Sequence, residues 1–197
     1  VQGTHMLTPP SLEGVISPPT WSLGAFRLRP LRLPDATAWH AYLSNPLVIE
    51  HTSFPVLSPA AVEAMVSRAL DGYAQAVSCR WALADASDSL IGTCGFSNWS
   101  LPHSHAELVY DLNPLFWGTG VMRSAAQQVL SSAFHTVGFN RVHAFVMTSN
   151  TPSIRLLETL GFLHEGTLRQ FRIARGIARD FHIYARCSSC RATTLRM

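Results

Sequence analysis

The sequence predicts an α/β fold: one mixed, mostly antiparallel central sheet of about six or seven strands, flanked by helices. Three observations predict it. Three strand-like runs follow one another between short polar breaks, as in an antiparallel meander. Helical and strand periodicities then alternate, which requires one parallel crossover near the middle of the chain. Finally, 197 residues suit a single domain with a continuous core.

The opening VQGTHM reads as a cloning remnant ahead of Met6, and residues 1–24, with Pro9, Pro10, Pro18 and Pro19, as an irregular leader lacking a basic or membrane-spanning stretch. A domain over 25–186 and a polar tail over 187–197 follow. FRLRPLRL alternates as a strand from Phe26, Asp35 is placed to cap a helix through Tyr42, and Ser58-Pro59 opens another through Tyr73. The meander is CRWALAD (79–85), LIGTCGFSNW (90–99) and HAELVYDL (105–112). Met122, Ala125, Ala126, Val129, Ala133, Phe134 and Val137 then mark one face of a long helix that Gly138 ends. RVHAFVM (141–147) is a strand. TPSIRLLETL is a helix with Pro152 placed to be its first residue and Gly161 as its stop. FLHEGTLRQFRI and RDFHIYAR pair through Arg175-Gly176.

Composition narrows the function. Charged residues are only 14% and the formal net charge is +3, with basic residues scattered rather than striped, which argues against a nucleic-acid partner. So little surface charge leaves room for a self-association face, such as that of a homodimer. Every basic residue is Arg, so a fixed cationic contact must be a guanidinium, and lysine chemistry is excluded. Four cysteines without a signal peptide point to a reducing, cytoplasmic setting. Cys187 and Cys190 have the spacing of half a zinc site, but no second Cys pair exists, and no metal is expected. No apolar run is long enough for a membrane span.

Residues 117–122, WGTGVM, place two glycines between a strand and an amphipathic helix, where backbone N–H groups can approach a phosphate. A tight turn without a ligand is the alternative reading. A dinucleotide-binding unit fits poorly, because the third glycine of its fingerprint would fall at Arg123.

From AELVYDLNPLFWGTGVM through NRVHAFVMTSNTPSIRLLETLGFLHEGTLR to RDFHIYA, the chain resembles the GNAT superfamily of acyl-CoA-dependent N-acyltransferases, and within it the branch of the RimJ and RimL ribosomal-protein acetyltransferases. The resemblance implies the GNAT fold, acetyl-CoA as co-substrate and an amine acceptor. It places the pyrophosphate loop on Trp117, Gly118, Thr119, Gly120, Val121 and Met122. Trp117 stands where a Gln or Arg is usual, Met122 where a small residue is common, and Ser124 where a Glu is frequent. Main-chain amides hold the phosphate, so these departures touch only peripheral contacts.

Acyl transfer to an amine needs a neutral nucleophile, a polarised thioester carbonyl and a proton for the departing thiolate. The resemblance assigns the carbonyl to a backbone N–H between Tyr110 and Leu112. It assigns the pantetheine arm to Asn150 and the departing sulfur to Ser153. Both residues also read as ordinary helix-capping positions. Glu107, mid-strand among apolar residues, is the candidate general base, against the reading of a solvent-facing carboxylate. Glu165 is the second candidate, ahead of His105, Tyr110 and Tyr184, while His143 reads as a strand histidine. A peptide α-amine, with a pKa of about 7.7 to 8.0, suits one modest base better than a lysine at about 10.4. Arg169, Arg172, Arg175 and Arg179 gather on the last hairpin, which fits an acidic acceptor or a solvated face. Three functions follow: an acetyltransferase acting on a protein N-terminus, one acting on a small amine, or a module that binds acyl-CoA without turnover.

Overall fold

Eight strands join into one sheet in the order β1-β2-β3-β4-β5-β6-β8-β7. They are β1 (Trp21–Leu23), β2 (Phe26–Pro30), β3 (Cys79–Ala84), β4 (Leu90–Ser100), β5 (His105–Leu112), β6 (Arg141–Met147), β7 (Leu163–Ala174) and β8 (Ile177–Cys187). The computed structural model of the chain describes residues 19–188. Every neighbouring pair is antiparallel except β5 and β6, which run parallel across the predicted crossover. Cys190 lies outside the described residues; Cys187 ends β8. Among the described residues no helix is long and apolar enough to cross a membrane.

The first strand corrects the expected leader. Trp21–Leu23 folds back onto β2 through Gly24 and Ala25, a two-residue hairpin that uses the left-handed φ of +69° at Gly24. The Trp21 ring packs 5.1 Å from Trp81, and the Trp81 indole donates to the Pro19 carbonyl at 3.1 Å. Such a short strand shows little periodicity, and its partner ring lies far along the chain.

The described residues form five α-helices: α1 (Asp35–Leu43), α2 (Pro46–Glu50), α3 (Pro59–Ala74), α4 (Val121–Ser131) and α5 (Thr151–Thr159). Ser58 caps α3 as its sequence predicts, accepting from the Ala61 N–H at 3.2 Å. Asp35 does not cap α1. It is the first helical residue, and its buried carboxylate takes two 2.8 Å hydrogen bonds from the buried Arg29 guanidinium. That pairing raises the Arg29 pKa against the opposing effect of its burial. The helix after the glycine loop also differs from expectation, because its last part, Ser132–Val137, widens into a π-helical turn.

Helices cover both faces of the sheet. Val129 and Leu130 of α4 and Leu157 of α5 pack with Leu108 and Val142, all buried. Ala36, Trp39 and Tyr42 of α1 pack with Val62 and Val66 of α3 on the other face. At about 1.5–3 kcal/mol per fully buried large apolar side chain, these two layers supply the main driving force that holds the sheet between them.

Candidate active site

The register of β5 creates the site. It pairs with β4 from Ser100↔His105 to Gly92↔Leu112, but with β6 only at His105↔Arg141, Ala106↔Val142 and Glu107↔His143. Beyond Glu107 the two strands part. A cavity of about 540 Å³ opens between 108–112 and 144–147.

Backbone alternation decides what faces that gap. The Asn113 N–H donates to the Ile91 carbonyl at 2.8 Å, so the hydrogen-bonded partners of β4 are Asp111, Val109 and Glu107. The N–H and C=O groups of Tyr110 and Leu112 therefore point away from β4 toward the cleft. Leu112 already accepts at its carbonyl from the Trp117 indole at 2.9 Å.

At one end of the cleft lies the glycine loop. Gly118 and Gly120 have φ of +75° and +79°, and a Cβ on either would meet nothing within 4 Å. Their backbone conformation needs glycine, while the space before them stays open to the cavity. Ser124 N–H to Gly120 carbonyl, at 3.1 Å, is the first rung of α4. The amides of Met122 and Arg123 precede that rung and carry the positive end of the helix dipole. Arg123 and Arg155 also line the cavity. Cleft-facing amides, a helix start and two guanidiniums suit a phosphate-bearing ligand.

Not every loop residue contributes a side chain. Thr119 Oγ1 donates to the Phe116 carbonyl at 2.8 Å and Val121 is buried, so neither side chain lines the main cavity. Met122 does line it, as does the half-exposed Trp117.

Midway along, Asn150 and Ser153 combine both readings made for them. Asn150 Oδ1 caps α5 by accepting the Ser153 N–H at 3.1 Å, and both residues border the cavity. Ser153 Oγ lies 2.5 Å from the Tyr110 hydroxyl, a partner that sequence spacing does not reveal. Burial pushes the Tyr110 phenol well above its ordinary range, so it stays protonated and able to donate. Ser153 thus has a protonated hydroxyl within hydrogen-bonding distance.

At the far end stands Glu107, only 6% exposed rather than facing solvent. Its Oε2 accepts from the Asn98 carboxamide at 2.9 Å, and its Oε1 lies 3.6 Å from the Arg172 guanidinium. Both neighbours come from bulges. The interval 97–100 of β4 faces 105–107 of β5, with Asn98 at φ +47°. The interval 168–172 of β7 faces 179–181 of β8, with Gln170 at φ +52°. Each bulge turns a side chain toward one carboxylate. Held by one strong donor on Oε2, this carboxylate can accept a proton on Oε1.

Of the other base candidates only Tyr110 lies in the cleft. Glu165 is held in a two-pronged ion pair with Arg141, which lowers its pKa, and it does not line the cavity. The Tyr184 hydroxyl donates to Glu158 at 3.2 Å, away from the cleft. His105 and His143 stack edge to face 5.6 Å apart beside β5, and neither lines the cavity. Burial lowers the His143 pKa.

Sequence reading also missed a polar cluster beneath the cleft. Asp111 accepts from the Tyr42 hydroxyl, from Arg80 and, at 2.8 Å, from Thr93. Arg80 lies 4.9 Å over the Trp39 ring and donates from Nε to Thr93 at 2.7 Å. This cluster fastens α1 to β3, β4 and β5 where β5 leaves its partner.

Known proteins share this fold. Residues 26–163 match the family model described as an acetyltransferase (GNAT) domain. An uncharacterised N-acetyltransferase, p20, of Bacillus licheniformis is 34% identical over 163 residues, covering 80% of this chain and 90% of that protein. Ribosomal-protein-S5-alanine acetyltransferase from Vibrio fischeri superposes with a TM-score of 0.79 at 18% identity, covering 87% of this chain and 97% of the other. RimL, a ribosomal L7/L12 α-N-protein acetyltransferase solved with coenzyme A, superposes at 0.76 and 18% identity over 86% and 98%. The two structures share the fold. With the family model covering most of the sheet and the whole glycine loop, the chain belongs to the GNAT acetyltransferase family.

Proposed function

We propose that the protein is an acetyl-CoA-dependent N-acetyltransferase whose acceptor is a primary amine, foremost a protein N-terminal α-amine. The observation that carries this reading is the parting of β5 from β6, which lines one cavity with phosphate-directed amides, backbone groups of Tyr110 and Leu112, and the Glu107 carboxylate. Acetyl-CoA supplies an activated thioester carbonyl. The glycine loop, the start of α4 and the neighbouring guanidiniums bind its pyrophosphate, and Asn150 contacts its pantetheine arm. A cleft-facing N–H of β5 polarises the carbonyl. Ser153, backed by Tyr110, delivers a proton to the leaving sulfur, and Glu107 takes one from the amine.

The ribosomal-protein acetyltransferases among the structural neighbours support an N-terminal acceptor. So does the use of one carboxylate, Glu107, as base, which suits an amine of modest basicity. Small amines acetylated as well as N-terminal peptides would favour the small-molecule reading.

The test pairs binding with turnover. Acetyl-CoA at about 100 times its Kd should stabilise the fold by about 2.7 kcal/mol, with less effect from fragments lacking the pyrophosphate. Thiol release should follow with N-terminal peptides. No thermal shift at millimolar acetyl-CoA overturns the cofactor assignment. A shift without thiol release from any amine leaves only a binding module.

A further inference from the structure

Of the four arginines nearest the turn of the β7–β8 hairpin, only Arg172 lines the cavity. Arg175 turns the other way and donates to the carbonyls of Ile49, Glu50 and Thr52 at 2.6 to 3.3 Å, tying the hairpin to the end of α2. Arg169 and Arg179 are exposed. Arg172 instead rests on an aromatic platform, with its guanidinium carbon 5.5 Å from the Phe145 ring centroid, 5.2 Å from Phe171 and 5.3 Å from Phe181. Its guanidinium, with the side chain 38% exposed, donates no hydrogen bond to any described residue. Its five N–H donors are therefore open to a planar anion that enters the cleft. Its one ion-pair partner among the described residues, Glu107, stands off at 3.6 Å and is already hydrogen-bonded by Asn98.

We propose that Arg172 is an acceptor-recognition residue that binds a carboxylate carried close to the reacting amine, so that the preferred acceptors are carboxylate-bearing primary amines. The proposal rests on the acetyl-transfer reading above for the identity of the reacting amine. The geometry sets the spacing. With the amine at Glu107 Oε1, the guanidinium fork lies one short step away, within reach of a carboxylate a few bonds from the nitrogen. Planar two-pronged pairing is what a guanidinium offers and an ammonium does not. It also offsets the repulsion between that carboxylate and Glu107. The β7 bulge at Gln170, anchored by its N–H to Asp180 at 2.7 Å, brings Arg172 to this position.

Two sources share this chemistry, the α-carboxylate of a free amino acid and the acidic side chain of an N-terminal residue. At saturating acetyl-CoA, kcat/KM is measured for alanine against alaninamide and for aspartic acid α-amide against asparagine α-amide. The pair that shows a preference of about ten- to hundredfold for the carboxylate identifies the source. In Arg172→Gln that preference collapses, mainly through a higher KM for the charged acceptor. Arg172→Lys restores only part of it. Equal turnover of charged and neutral acceptors by the unaltered protein overturns the proposal. So does a uniform loss on both acceptors in Arg172→Gln that Arg172→Met, which keeps the stem over the rings, does not share. Calorimetry with N-acetylaspartic α-amide and N-acetylasparagine α-amide in the presence of CoA separates this inference from its parent. A preference for the former that needs Arg172, without thiol release from any amine, upholds the anion subsite while acetyl transfer fails. Turnover without preference does the reverse.

Discussion

The two ends of the cleft are built by different means. At the glycine-loop end the chain presents backbone: left-handed Gly118 and Gly120 and the first amides of α4, all drawn from one short segment. At the Glu107 end it presents side chains from three strands, Asn98 of β4, Glu107 of β5 and Arg172 of β7, meeting around one carboxylate. Left-handed residues shape both ends, but glycines do so at the first and Asn98 and Gln170 at the second. A backbone cradle tolerates side-chain change, because every residue type supplies the same amide. A side-chain cluster depends on each identity within it. The departures at Trp117, Met122 and Ser124 fall at the tolerant end.

Substitutions at each end sharpen this contrast. The largest effect is expected at Glu107, where Glu107→Gln keeps the shape and the Asn98 contact but removes proton acceptance. We expect kcat/KM at neutral pH to fall by about 10² to 10⁴-fold with acetyl-CoA affinity nearly unchanged, and to recover in part at high pH, where the amine is already neutral. Unaltered turnover at pH 7 would remove Glu107 from the chemistry.

A smaller effect of opposite kind is expected at the glycine-loop end. Gly120→Val forces a branched residue into φ +79°, at about 1–2 kcal/mol, and sets its side chain before the amides. Calorimetry should show acetyl-CoA binding weakened by about tenfold or more, in a protein that still unfolds cooperatively. Full affinity would show that the loop is only a turn.

The smallest effect belongs to the middle of the cleft, where backbone and side chain share the work. Ser153→Ala leaves the main-chain N–H that Asn150 caps, so binding should survive, and single-turnover kinetics should show acetyl transfer slowed by about tenfold or less, because a thiolate is already a good leaving group. An unchanged rate would return Ser153 to capping alone.

Much of the fold was legible along the chain, and for a local reason. Ser58-Pro59 starts a helix and Arg175-Gly176 turns a hairpin through residues next to one another, so spacing carries the information. The exceptions involve distant partners: Asp35 belongs to Arg29 and its neighbours rather than to a cap, and Trp21 becomes a strand because Trp81 receives it. The candidate site divides the same way. The glycine loop and the Asn150–Ser153 cap are contiguous, and the sequence by itself determined them. It also named Glu107, as an acid among apolar residues in a strand. Only the tertiary structure decided that Glu107 is buried, that Tyr110 stands behind Ser153, that Glu165 is bound to Arg141, and that Arg172 alone of the four arginines nearest the hairpin turn lines the cleft. Those outcomes depend on where β5 leaves β6 and where two strands bulge. Such register choices are set by the packing of whole strands against both helical layers, and no single stretch of sequence encodes them.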